Sequence, residues 1–139
     1  YAEVGGNVIG VEAVPEAAAH KYGIIDPSAQ DGRRFAMKGM VEKPKQGTAP
    51  SNMSISGRYI LQPEIFDLLE TQESGAGGEI QLTDAMDRLM KTQTFTAYEY
   101  EGVTHDCGDK IGLLRANVAL ALKRQDLGEA ARAAVSALL

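Results

Sequence analysis

Several features that would place this chain in a common protein class are missing from it. Tryptophan is absent and cysteine occurs once, as Cys107, so no disulfide can form within the chain and a reducing compartment is favoured. No apolar run approaches the roughly 20 residues that a membrane-spanning helix needs. No basic segment followed by an apolar stretch marks a signal peptide at the N-terminus. We therefore expect a cytoplasmic protein without a membrane partner.

A concentration of positive charge is also missing. The formal net charge is -5 and the basic residues are scattered along the chain, which argues against a nucleic-acid partner. The 139 residues, 44% of them apolar and 24% charged, are enough for one ordinary globular core. The first residue is Tyr1 rather than Met, which we interpret as an internal start of a longer protein.

The order of strand-like and helix-like segments predicts a mixed α/β sheet, because strands and helices do not strictly alternate. Apolar and β-branched runs predict the strands, whereas apolar residues at helical spacing predict the helices. A polar, turn-rich loop is expected over residues 27–34. We expect one partial domain over 1–139, with its last two helices forming an antiparallel hairpin over 110–139. The predicted strands are 7–14, 22–25, 35–42, 53–61, 95–100 and 103–106, and the predicted helices are 15–20, 63–69, 82–89, 110–123 and 127–138.

A pair of opposite charges at the end of a predicted strand is the first candidate site. Glu42 and Lys43 stand directly before Pro44, which has no N–H to continue a sheet. Ligands of open α/β folds bind at strand ends, where Lys can hold a phosphate and Glu can accept hydrogen bonds from sugar hydroxyls. A solvated ion pair on the surface is the alternative that the residues alone leave open.

Two further stretches could carry chemistry. Asp106, at the end of a predicted strand and close to the flexible Gly108, could bind Mg²⁺, which takes oxygen ligands. Asp109 is expected to cap the following helix. One His and one Cys nearby do not make a four-ligand zinc site. The glycine-rich stretch 74–84 could cradle a phosphate before a helix, although it lacks the P-loop pattern, and a flexible loop is the equal alternative.

Five stretches, taken together and in this order, resemble bacterial UTP–glucose-1-phosphate uridylyltransferases. The resemblance runs over essentially the whole chain. The fourth and fifth stretches are quite specific to that family, whereas the first two also occur in glucose-1-phosphate thymidylyltransferases. The stretches are K-Y-G-I-I-D (21–26), V-E-K-P (41–44), A-P-S-N (49–52) leading to G-R-Y (57–59), G-G-E-I-Q-L-T-D-A (77–85) and D-C-G-D-K (106–110).

The resemblance implies a fold, a reaction and a cofactor. The fold is part of the three-layer α/β/α nucleotide-diphospho-sugar transferase fold around a mixed sheet. The reaction turns UTP and glucose 1-phosphate into UDP-glucose and diphosphate with Mg²⁺, a step of carbohydrate metabolism, and Asp106 would be one of two aspartates on the metal. This chain would be the C-terminal half, because the glycine-rich G-x-G-T-R loop of the family is not in it. We therefore expect the chain to be inactive alone.

The resemblance also implies roles for residues of the sugar-phosphate side. Gly23 would let backbone groups meet the sugar hydroxyls, and Glu42 would accept hydrogen bonds from them. Lys43 would hold the sugar phosphate and act as the catalytic cation. Ile55 and Tyr59 would line the sugar pocket.

Two other functions remain open alongside the enzyme. The chain could be a sugar-phosphate-binding domain without catalysis, or a structural half whose last helices mediate assembly. A homo-oligomer is expected in either case. Strands that would be central in a longer protein become exposed edges, and residues 127–138 present an apolar stripe that could pack on a second copy.

Overall fold

The computed structural model describes residues 1–74 and 78–138 and divides into two compact units, Tyr1–Tyr100 and Glu101–Leu139. The described part of the first unit contains five strands, two α-helices and a short 3₁₀ helix, and that of the second unit contains two α-helices. In chain order the elements are β1 (Asn7–Ala13), the 3₁₀ helix (Glu16–Lys21), β2 (Gly23–Asp31), β3 (Arg34–Glu42), β4 (Met53–Ile60), α1 (Ile65–Glu70), α2 (Leu82–Met90), β5 (Phe95–Glu99), α3 (Lys110–Lys123) and α4 (Gly128–Ser136).

The five strands form one mixed sheet that closes on itself. Its order is β1-β4-β2-β3-β5, and β5 returns to pair with β1. The β1/β5 pair is parallel, whereas the other four pairs are antiparallel. The predicted α/β class with a mixed sheet is confirmed. Closure gives each of these described strands a partner on both sides, so the expectation of exposed sheet edges is wrong, and the homo-oligomer loses that part of its support.

The core lies between the sheet and α2. Alternate residues of β1 are buried, including Ile9 and Val11 at 0% exposure, because successive side chains of a strand point to opposite faces. Helix α2 contributes Ala85, Met86 and Leu89, whose spacing puts them on one helix face. Full burial of an aliphatic side chain of this size stabilises the fold by about 1.5–3 kcal/mol. This packing fixes α2 against β3, and that contact places the candidate site.

A buried asparagine joins three parts of the first unit. The Asn7 side chain is fully buried, donates to Gln93 Oε1 at 2.9 Å and accepts from the Gln62 backbone N–H at 2.8 Å. It also donates to the Thr94 carbonyl. A buried amide is tolerated because its partners replace water. Apolar spacing carries no signal for this network, so the sequence did not indicate it.

The β2/β3 hairpin is longer than the sequence predicts. The loop expected over 27–34 is wrong, because β2 runs on to Asp31 and the turn is confined to Gly32 and Arg33. Register shifts on both sides of Pro27 mark an irregularity of the ladder, and a bulge is where a strand accommodates proline. Gly32 has a φ of 56°, as a two-residue hairpin turn requires.

The second unit, described by itself, consists of a loop followed by two packed helices. The strand expected over 103–106 is wrong, since no regular structure is assigned there. Asp109 caps α3 as predicted: its Oδ1 accepts from the backbone N–H groups of Ile111 at 2.8 Å and Gly112 at 2.9 Å. Helices α3 and α4 contact each other. No helix in the described part of the chain is long and apolar enough to cross a membrane.

Candidate functional site

The end of the β2/β3 ladder brings Gly23 and Glu42 together. They are direct partners in the antiparallel register, and the Glu42 side chain is only 16% exposed. A Cβ added to Gly23 would lie 2.9 Å from Glu42 Oε2 and 3.2 Å from Ile55 Cδ1. The missing side chain at Gly23 thus makes room for a carboxylate and an isoleucine at the same point.

The carboxylate of Glu42 has a donor that the sequence did not reveal. Thr83 Oγ1 donates to Glu42 Oε2 at 2.8 Å, and Thr83 is itself buried, with 8% of its surface exposed. Thr83 is the second residue of α2, so the carboxylate meets the first turn of a helix, where the helix dipole favours negative charge. The G-G-E-I-Q-L-T-D-A stretch attracts attention through its glycines, whereas its threonine makes the contact.

Lys43 follows Glu42 in an unusual backbone conformation. Its φ is 44°, in the left-handed region that costs a non-glycine residue about 1–2 kcal/mol. The Lys43 backbone N–H donates to the Tyr22 carbonyl at 3.1 Å, which holds the turn. Lys43 Nζ lies 3.9 Å from Glu42 Oε1, and its side chain is 61% exposed. An ion pair this long and this exposed contributes little, so the cation is available to a bound anion.

Strand β4 carries the other two candidate residues of the sugar side. Ile55 and Tyr59 lie on β4 opposite Val11 and Ile9 of β1, and both are partly buried against the core. Burial raises the pKa of the Tyr59 hydroxyl above its ordinary value, and the negative charge of Glu42 raises it further. Tyr59 therefore stays a neutral hydrogen-bonding group near Glu42 at physiological pH.

Asp106 belongs to the second unit. It is exposed, and its Oδ1 accepts from the Gly108 backbone N–H at 2.8 Å. A Cβ added to Gly112 would collide with the Asp106 carbonyl oxygen, so the loop lies directly on the first turn of α3. The expectation that Asp106 ends a strand is wrong, because an Asx-type turn and the helix contact hold it instead.

The surroundings of Asp106 bear on the expected metal. Among residues 1–74 and 78–138, no group of three or more His, Cys, Asp or Glu side chains is placed to hold a metal ion. Mg²⁺ commonly takes only one or two protein carboxylates and keeps several waters. An exposed carboxylate with one oxygen fixed by a backbone N–H suits one such ligand position.

The glycine-rich stretch 74–84 is described only in part. Residues 75–77 lie outside the described residues, so the phosphate cradle expected there is not placed. Gly78 has a φ of 78°, and α2 begins four residues later at Leu82. Within this stretch, Thr83 is the residue whose side chain the structure brings to the candidate site.

A known protein family matches most of this chain, including every residue of the site. The nucleotidyl transferase family model matches residues 2–123. The chain belongs to the nucleotidyl transferase family. The match covers all of the first unit after Tyr1 and continues to the end of α3.

Individual relatives show which members of the family this chain is similar to. A UTP–glucose-1-phosphate uridylyltransferase of Staphylococcus epidermidis is 51% identical over 138 residues, which are 99% of this chain and 48% of that protein. The solved UDP-glucose pyrophosphorylase of Acinetobacter baumannii is 40% identical, with a TM-score of 0.86, over 100% of this chain and 48% of its own. A UDP-glucose pyrophosphorylase complexed with UDP-glucose is 37% identical, with a TM-score of 0.83, over 89% of this chain and 47% of its own.

These matches confirm the resemblance to uridylyltransferases, but over only part of the length of those enzymes. The chain spans about half the length of the curated relatives it matches. The assignment to the C-terminal half in particular is not confirmed.

Proposed function

We propose that this chain is the sugar-phosphate-binding part of a uridylyltransferase that makes UDP-glucose and diphosphate from UTP and glucose 1-phosphate. The observation that carries the proposal is the fixed Glu42 carboxylate beside an exposed cation. Glu42 is bonded to Thr83 and fitted against Gly23, while Lys43 Nζ projects from a strained turn at the next residue. Names and folds of the relatives support the same activity.

The sugar side of the site needs hydrogen-bond acceptors and a partly apolar wall. Glu42 supplies carboxylate oxygens that only accept, which suits the hydroxyls of a hexose. Ile55 and the neutral Tyr59 would supply the wall. A site that satisfies hydroxyls in this way rejects analogues that lack them, since its buried polar groups would be left unpaired.

The phosphate side needs a positive charge that is not already neutralised. Lys43 would hold the phosphate of glucose 1-phosphate, one oxygen of which attacks UTP as diphosphate leaves. That phosphate needs no general base, because its second pKa of about 6 leaves it anionic near neutral pH. The task of the protein is then to align two polyanions and offset their repulsion, so we expect Lys43 to matter more for rate than Glu42.

The proposed reaction also needs a metal ion, Mg²⁺. Asp106 would hold Mg²⁺ through its exposed carboxylate, and the ion, when bound, offsets phosphate charge.

We also propose that the protein works in the cytoplasm as a homo-oligomer, and that residues 1–139 act as one partial domain ending in the helical hairpin 110–139. Sedimentation over a concentration series tests the oligomer, and one species of about 15 kDa throughout, close to the 14.9 kDa of the chain, contradicts it.

A segment-exchange experiment tests the activity. This chain replaces the matching half of the Staphylococcus epidermidis relative, and diphosphate release is measured with UTP, glucose 1-phosphate and Mg²⁺. We expect turnover from the chimera and none from the 139 residues alone. Lys43→Ala should lower kcat/KM of the chimera by about 100-fold or more, as the loss of a positioned electrostatic donor does elsewhere, and Glu42→Gln should lower it less.

The same experiment identifies the competing function. A folded chimera without turnover, together with tight binding of glucose 1-phosphate by the chain, would contradict the enzyme and favour a non-catalytic sugar-phosphate-binding domain. Equal losses in the Lys43→Ala and Glu42→Gln chimeras would contradict the division of roles between the two residues.

A further inference from the structure

Thr83 joins helix α2 to the sheet through its side chain. A threonine inside a helix commonly bonds the carbonyl of its own helix three or four residues earlier, but Thr83 is the second residue of α2 and has no earlier helical turn to bond. It is buried and directed across to the sheet, where Oγ1 donates to Glu42 Oε2 at 2.8 Å. Hydrogen bonds to an ionised acceptor are about twice as strong as neutral ones. The contact joins the first turn of α2 to the last residue of β3.

The two oxygens of Glu42 have different surroundings. Oε2 faces Thr83 and the space that Gly23 leaves, since a Cβ on Gly23 would be 2.9 Å from Oε2 and 3.6 Å from Thr83 Oγ1. Oε1 lies on the side of Lys43 Nζ, 3.9 Å away. One oxygen is thus held by the protein, whereas the other lies beside Lys43, on the side where a bound hexose 1-phosphate would lie.

We propose that Thr83 is a positioning residue which, by holding Oε2, orients Oε1 of Glu42 toward the hydroxyls of a bound hexose 1-phosphate and so sets selectivity for the sugar. The inference rests on the proposed function, because it needs Glu42 to contact the sugar. Thr83 itself does not touch the substrate. Its effect is therefore confined to recognition of the sugar, whereas retention of the phosphate depends on Lys43.

Two ligands separate these effects in a binding experiment on the 139-residue chain. Calorimetry measures the affinity for glucose 1-phosphate and for inorganic phosphate, which presents the anion without the sugar. The unaltered chain should bind glucose 1-phosphate more tightly. Thr83→Val keeps the size and β-branching but removes the donor, and should lower the affinity for glucose 1-phosphate about tenfold, the usual weight of a charged hydrogen bond. Its affinity for inorganic phosphate should not change.

Matched variants show whether the hydroxyl is responsible. Thr83→Ser keeps the hydroxyl and should restore the preference for glucose 1-phosphate. Thr92, just after α2, donates to the Leu89 carbonyl rather than to Glu42, so Thr92→Val should leave both affinities unchanged. A Thr83→Val chain that keeps the full preference overturns the proposal, and so does a Thr83→Ser chain that loses it.

Other outcomes distinguish this inference from the proposed function. If the unaltered chain does not prefer glucose 1-phosphate to phosphate, the proposed sugar site is wrong and the inference falls with it. If Thr83→Val loses both ligands and melts at a lower temperature, the threonine is structural and only the inference is overturned.

A measurement on the unaltered chain covers the case in which Thr83→Val does not fold. The hydroxyl proton of Thr83 is followed by NMR as glucose 1-phosphate is added. It should stay protected from exchange, because the bond to Oε2 persists in the complex. Release of that proton on binding overturns the proposal.

Discussion

Lys43 combines a strained backbone with an exposed side chain. Among the described residues it is the non-glycine residue with a positive φ. Strain of this kind persists where the surroundings impose it, and it is frequent at functional sites. Here the Lys43 N–H is bonded to Tyr22 and the preceding Glu42 is fixed by Thr83, so the neighbours impose the conformation.

Replacing Lys43 by glycine should change stability and binding in opposite directions. Lys43→Gly relieves the left-handed strain of about 1–2 kcal/mol but adds entropy to the unfolded chain. We expect a net stabilisation of about 0.5–1 kcal/mol, together with weaker binding of phosphate. Thermal unfolding and calorimetry measure the two effects. Lys45→Gly, at a loop position without a positive φ, is the control and should only destabilise. A lower free energy of unfolding in Lys43→Gly would contradict the proposed backbone strain at Lys43.

The pKa of Tyr59 reports the charge of Glu42. Burial is the larger cause of its rise and the Glu42 charge the smaller, so Glu42→Gln should lower the Tyr59 pKa while leaving it above its ordinary value of about 10. Because the folded-state pKa is raised, the associated stability is present below pH ~10 and is lost as pH rises through the folded value. Glu42→Gln should shrink this alkaline loss.

Tyrosine NMR titration measures the shift in the folded chain. The Glu12→Gln variant, which removes a β1 carboxylate that does not contribute to the Tyr59 shift, is the matched control and should leave that pKa in place. An unchanged or higher Tyr59 pKa in Glu42→Gln would show that the two side chains do not interact.

At the scale of elements, periodicity predicted β1, β3, β4, β5 and all four α-helices close to their observed bounds. It failed where a non-local contact decides the structure. Pro27 did not end β2, because pairing with β3 continues past an irregularity. Residues 103–106 begin with the β-branched Val103 and Thr104, but no strand forms there. Charge at a strand end predicted Glu42 and Lys43 as a candidate site, whereas the Thr83 contact with Glu42 was missed because a hydroxyl has no pattern that reveals its partner.

The start of α3 should be sensitive to a single methyl group. Gly112→Ala would put a Cβ into the Asp106 carbonyl oxygen, and backbone cannot move aside as a flexible side chain can. We expect a loss of about 1–3 kcal/mol, in the range of overpacking, with displacement of the Asp106 loop. Circular dichroism and thermal unfolding measure it. Ala116→Gly, further along α3, costs only the helix propensity of about 1 kcal/mol plus its own small loss of packing. A fully stable Gly112→Ala chain would contradict the described contact.

At the scale of the molecule, a closed mixed sheet carries the residues proposed to bind the sugar phosphate, on β2, β4 and the end of β3 in the first unit, and Asp106 lies in the second unit. The residues proposed to bind glucose 1-phosphate all belong to the first unit, so no residue of the second unit is needed to bring them together. They are Gly23, Glu42, Lys43, Ile55 and Tyr59. The first unit therefore contains the complete set proposed to bind glucose 1-phosphate. Binding of this ligand should not depend on the metal ion.

The most direct test of this account is an NMR titration of the 139-residue chain with glucose 1-phosphate in the absence of metal. We predict that the largest backbone shifts fall on Gly23, Glu42 and Lys43, with side-chain shifts at Ile55 and Tyr59, and that Lys43→Ala removes them. Residues 36–37, 90 and 92–95 line a separate, open cavity of about 350 Å³ in the first unit and should not shift. Shifts centred on that cavity, or none at saturating ligand, would contradict the account.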